Sequence, residues 1–218
     1  VNTIELDQWV DLINQFDEAN PNYAERFSSK KPQEAAPTLP ITVVGKAEQM
    51  SFLNRKFDLL RIDAKDINGI WDGAIEAEHL KGTVRFTPKN PDLPFGALQA
   101  DFKELHIPEA VSITPKNNQS KSSVRSLPSM DVSIADFNFG KMQLGEIKLQ
   151  AKALPTNWMI EQLFVKNKFG EIAVNGNWDI PSGNQIGKTA LKVDLKTSDA
   201  GELLTSLGVK ENVIDRGR

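Results

Sequence analysis

From Ile41 onward the chain alternates apolar and polar residues with a period of two, the signature of strands buried on one face. Leu60, Ile62 and Ala64 alternate with Arg61, Asp63 and Lys65, Val84 and Phe86 with Thr83, Arg85 and Thr87, and Leu98, Ala100 and Phe102 with Gln99, Asp101 and Lys103. The pattern resumes at Val132 and Ile134. It continues through Ile147, Leu149 and Ala151, then Ile172 and Val174, then Leu191, Val193 and Leu195. The two ends read differently. Leu6, Trp9, Val10, Ile13 and Phe16 have the i, i+3, i+4 spacing of an amphipathic helix that stops before Asn20-Pro21. Near the other end, Asp199 and Glu202 can form a capping box, Ala200, Leu203, Leu204 and Leu207 make an apolar stripe, and Gly208 suits a helix C-terminus.

The two alternating regions repeat. Leu39-Pro40 matches Leu127-Pro128, Ala64 with Trp71 matches Ala151 with Trp158, Gly82 matches Gly170, and Ala97-Leu98-x-x-Asp101-x-Lys103 matches Ala190-Leu191-x-x-Asp194-x-Lys196. Residues 1–17 then read as the tail helix of a preceding unit and 18–38 as a loop carrying Pro32 and Pro37. A first β unit covers 39–111, a polar loop 112–126, a second β unit with its terminal helix 127–208, and a tail 209–218 leads towards a next unit. A chain opening on Val1 is expected to be a segment of a longer repetitive protein. Repetition at this period implies units that stack edge to edge and extend one sheet. Its apolar face must fold over as a sandwich core or line a groove for an apolar ligand.

Composition narrows the chemistry. Lys and Arg total 26 against 29 Asp and Glu, giving a formal net charge of -3 with no basic stripe, so a nucleic-acid partner is not expected. There is no cysteine, which rules out disulfides and thiolate metal sites. His79 and His106 are the only histidines, lie far apart in sequence, sit in no metal-ligand spacing and do not recur in the second unit. The Asp and Glu residues fall on outward strand positions, a solvated face, and this holds for the recurring Asp101 and Asp194. No serine sits in a nucleophile elbow and no glycine-rich phosphate loop occurs. The expectation is a protein that is not an enzyme, with no cofactor and no metal. The polar face of the first helix (Asp7, Gln8, Asp11, Asn14, Gln15, Asp17) is acidic, so it is expected to pack on protein and not to insert into an anionic membrane.

A longer pattern carries a resemblance. Leu127-Pro128-x-x-Asp131 is followed by Leu144-Gly145-x-Ile147-x-Leu149-x-Ala151, then Trp158-x-Ile160-x-x-Leu163, a Gly170-x-Ile172 strand ending in Gly176-x-Trp178, and Asp199-x-Gly201-x-Leu203-Leu204. This order resembles the recurring unit of the AsmA-like family of bacterial envelope proteins, most closely its large YhdP-type members. It covers 127–208 well; the copy at 39–107 departs more, with Asn68-Gly69 before Trp71 and its helical close reduced to Glu104-Leu105-His106-Ile107-Pro108.

The resemblance implies a mainly β, extended, curved and mostly antiparallel repeat sheet, shaped as a groove, with short helices closing each unit. It also implies a periplasmic protein of Gram-negative bacteria, anchored in the inner membrane by its parent chain. Its partners would be phospholipid acyl chains and the neighbouring repeat units, and its role would be to conduct phospholipid between inner and outer membranes. The candidate lining is Leu60, Ile62, Ala64, Val84, Phe86, Leu98, Ala100 and Phe102 from the first unit, and Ile147, Leu149, Ala151, Ile172, Val174, Leu191, Val193 and Leu195 from the second. Periodicity alone favours a β-sandwich core without ligand, as in a structural or interaction repeat; the resemblance reverses that preference. Trp71 and Trp158 would line the groove, anchor at an interface, or pack at a strand start, and packing asks least of them.

Overall fold

The computed structural model describes residues 3–5, 40–52, 55–109, 127–179 and 188–208. They form one eleven-stranded sheet whose spatial order follows the chain, β1 to β11. The strands are β1 (Thr3–Glu5), β2 (Ile41–Phe52), β3 (Arg55–Ile67), β4 (Ile70–Ala77), β5 (Leu80–Thr87), β6 (Ala97–Ile107), β7 (Ser129–Phe139), β8 (Met142–Ala153), β9 (Asn157–Asn167), β10 (Gly170–Asp179) and β11 (Thr189–Thr197). A helix, α1 (Ala200–Ser206), follows β11.

Neighbouring strands are antiparallel except at two joints, β1–β2 and β6–β7, which are parallel. The parallel joints divide the sheet into two antiparallel runs, β2–β6 and β7–β11. A tight turn joins β3 to β4. Asn68 and Gly69 both take positive φ (57° and 80°) between β3 and β4, as a two-residue hairpin turn requires, and Asp66 Oδ1 accepts from the Gly69 amide at 2.8 Å.

Helix α1 begins where expected. Asp199 is its N-cap, accepting from the Glu202 amide at 3.0 Å, and Leu203 is its buried anchor at 1% exposure. Residues 104–107, read in sequence as a degraded helical close, are the last part of β6. Among the described residues α1 is the one helix, and the helix anticipated over Leu6–Phe16 lies outside them.

The apolar residues pack on one side of the sheet. The fully buried cluster of the first run is Ala47, Met50, Phe57, Leu60, Ala77 and Leu80, with Ile62, Ile75, Phe102 and Leu105 against it. Backbones approach most closely between strands that are neighbours in the sheet and between α1 and β8, and at one strand end Arg55 of β3 reaches across to β7, its guanidinium 4.9 Å from the centre of the Phe139 ring. The described strands form one continuous sheet and not two separate ones.

The repeat landmarks fall on corresponding strands but not all in corresponding register. Gly170 is the first residue of β10, opposite Asn167, whereas Gly82 is the third of β5, opposite Ile75 and Phe102. The cause is hairpin length: β4 and β5 have 8 residues each, β9 and β10 have 11 and 10. The displacement is even, so the face is preserved.

Candidate functional site

Residues paired directly across strands lie on the same face, so the register shows which side chains share a surface. One row runs Val43, Ala64, Gly73, Val84, Ala100, Val132, Leu149, Leu163, Val174 and Val193. A second passes through Ile62, Ile75, Gly82, Phe102, Ile134, Ile147, Val165, Ile172 and Leu195. A third passes through Trp71, Phe86, Leu98, Met130, Ala151, Ile160, Gly176 and Leu191. Leu60 continues the face opposite Ala47. Every candidate lining residue thus lies on one face, and the rows cross the parallel joint between β6 and β7 without changing side.

The strict alternation breaks at five places, each an apolar pair spaced i, i+3: Ala47/Met50, Phe57/Leu60, Phe102/Leu105, Ile134/Phe137 and Ile160/Leu163. Irregularities keep both members inward. Leu59 takes φ +58° between Phe57 and Leu60, and ladder shifts occur between Ile134 and Phe137 and where Ile160 and Leu163 meet β10. These bulges insert extra residues that restore the face. Sequence reasoning named neither β9 nor Phe57, Leu105 and Phe137 for this reason. The broken spacing was the signal that could have found them.

The face is half-buried in its middle and open in places. Exposure reaches 41% at Phe86, 42% at Trp178 and 57% at Val193. Its ends differ. Trp71, second residue of β4, pairs with Phe86, penultimate in β5; Trp158, second residue of β9, pairs with Trp178, penultimate in β10. Both aromatic pairs stand at the same end of the strands, and the two indoles meet edge-on with centroids 6.3 Å apart. At the opposite end Leu203 of α1 rests over Gly170, where an added Cβ would lie 3.1 Å from Leu203 Cδ2. Gly208 abuts the Met142 sulfur in the same way.

The other face is charged and paired. Arg61, Glu76, Lys81 and Glu104 form a ladder of alternating sign, as do Glu146, Lys166, Glu171 and Lys196. Lys81 Nζ is 2.9 Å from Glu76, Lys166 Nζ 2.7 Å from Glu171, and Arg85 Nε 2.6 Å from Asp72. Hydrogen bonds from these partners hold the carboxyls of Glu76, Glu171 and Asp72 below their usual range. A shallow concavity of about 660 Å³ lies on this polar face, lined by Asp63, Asp72, Arg85, Asp101 and Asp131 among others, and two more lie at the hairpin ends. Among the described residues the apolar face forms no enclosed pocket.

The two histidines, separate in sequence, meet in the fold because Leu80 pairs with Leu105. Their rings stack 5.1 Å apart, and His106 Nε2 lies 3.2 Å from Asp136 Oδ2 across the parallel joint. No cluster of metal-binding side chains forms among the described residues. No described helix is long and apolar enough to cross a membrane.

The family model described as YhdP protein matches residues 1–218. The chain belongs to the YhdP family. No curated protein and no solved structure shows a significant match to it. The YhdP family suggests a lipid-transport-related envelope protein.

Proposed function

We propose that this chain is one section of a periplasm-spanning β-groove that shields acyl chains and conducts phospholipid between the inner and outer membranes. In this reading the sheet curls so that its apolar face lines the trough, and further repeat units of the same chain extend it. The observation that carries the proposal is the register: the rows keep apolar side chains on one face across both runs of a sheet that is continuous among the described residues. Burial is worth about 0.8 kcal/mol per methylene, so a 16-carbon chain would cost on the order of 10 kcal/mol to move through water. A continuous apolar face lowers that barrier without chemistry. It also binds without directionality, which lets lipid slide. The role involves no catalysis, cofactor or nucleic acid, and the segment does not itself enter the bilayer.

A second reading, a structural or interaction repeat that holds no ligand, draws support from the concavities lying on the polar face and at the hairpin ends. Mass spectrometry of the organic extract of the purified chain separates the two. Phospholipid in amounts comparable to protein supports the groove; a lipid-free extract supports the interaction repeat.

A further inference from the structure

We infer that phospholipid lies on this face with its headgroup at the aromatic end of the strands and its acyl chains running towards the helix end. The inference rests on the lipid-groove reading and adds an orientation to it.

Three observations give the face a polarity. First, the aromatic pairs Trp71–Phe86 and Trp158–Trp178 stand at the same end of the strands in both runs, and all three of their indoles lie there. Phe86 and Trp178 remain 41% and 42% exposed. Indole rings favour the boundary where apolar material meets polar headgroups and water. Second, the opposite end is closed by protein. Met50, Phe57 and Leu80 are 3%, 6% and 5% exposed in the first run, and Leu203 of α1 is 1% exposed over Gly170 in the second. A headgroup seated among these four apolar side chains would be desolvated. Third, the dimensions fit. From Trp178 to Gly170 the strand covers about 26 Å at roughly 3.3 Å per residue. The acyl chains of one leaflet occupy about 15 Å, half of a hydrocarbon core of about 30 Å. A chain laid along the strands from the aromatic row is accommodated before it reaches the helix.

The experiment uses the full 218-residue chain with two phosphatidylcholines, one carrying a nitroxide on the headgroup and one at carbon 16 of the acyl chain. Electron paramagnetic resonance reports whether each is bound. Tryptophan emission of the wild type minus that of Trp178→Phe reports quenching at Trp178. The headgroup label is expected to quench Trp178 several-fold more than the chain-end label. Leu195→Trp in the Trp178→Phe background moves the reporter three rows towards the helix, and there the preference should reverse. Binding of both lipids with chain-end quenching equal or greater at Trp178 overturns the orientation alone. Immobilisation of neither lipid overturns the groove reading and the orientation with it.

Discussion

The indole Nε1–H of Trp158 donates to the carbonyl of Pro128 at 3.0 Å, tying the start of β9 to the segment just before β7 across the end of β8. Trp158 is 6% exposed, so its polar atom has found a partner inside the protein while its ring meets Trp178. Trp158→Phe keeps most of the ring and orphans the carbonyl, and should cost about 1–2 kcal/mol in urea unfolding. Trp158→Ala also opens a cavity and should cost about 3–5 kcal/mol.

Gly176 has φ +148°, and a Cβ there would come within 2.1 Å of the Ala190 carbonyl oxygen on β11. That oxygen belongs to backbone and has no room to retreat. Gly176→Ala should lower stability by about 1–3 kcal/mol. Hydrogen exchange should show the loss concentrated in the β10–β11 pair.

The alternation of strands and the closing helix of the second run are legible in the sequence, because period-two burial and a capping box are local signals. Asp199 and Leu203 fall where their spacing indicates. What local spacing hides is the set of bulges. Ile160 and Leu163 look helical at i, i+3, yet both face the same side of a strand because extra residues bow out between them. The meeting of His79 with His106 is hidden for another reason: it depends on the β5–β6 register, which a nine-residue connection between the strands does not fix. The continuity of the sheet was also open, since two separate sheets and one continuous sheet carry the same alternation.

Asp199→Ala removes the side-chain acceptor for the Glu202 amide. The expected cost is about 1 kcal/mol. Amides of α1 should exchange faster while those of β8 and β9 keep their protection.

Asp72 has its carboxyl held low by the hydrogen bond from Arg85. A carboxyl lowered in the folded state contributes stability above its unfolded pKa, and that contribution fades as pH falls through the lowered value. Arg85→Gln should therefore melt below wild type at pH 7, and the two melting temperatures should converge in acid, below the ordinary carboxylate range. A melting difference that persists unchanged in acid would show that Arg85 acts through packing and not through Asp72.

The most direct test of the lipid-binding face compares two sets of replacements on the same three strands. Val84→Asn, Val132→Asn and Val174→Asn place three amides on the apolar face; Thr83→Asn, Ser133→Asn and Ala173→Asn place three on the polar face at adjacent positions, adding no like charge opposite Asp101 and Asp194. Titration with a fluorescent phospholipid, with circular dichroism on the same samples, reads binding and folding together. The apolar-face set should stay folded and bind at least about tenfold more weakly than the polar-face set, which should match wild type. An apolar-face set that binds lipid as well as the polar-face set, or that unfolds, contradicts the account.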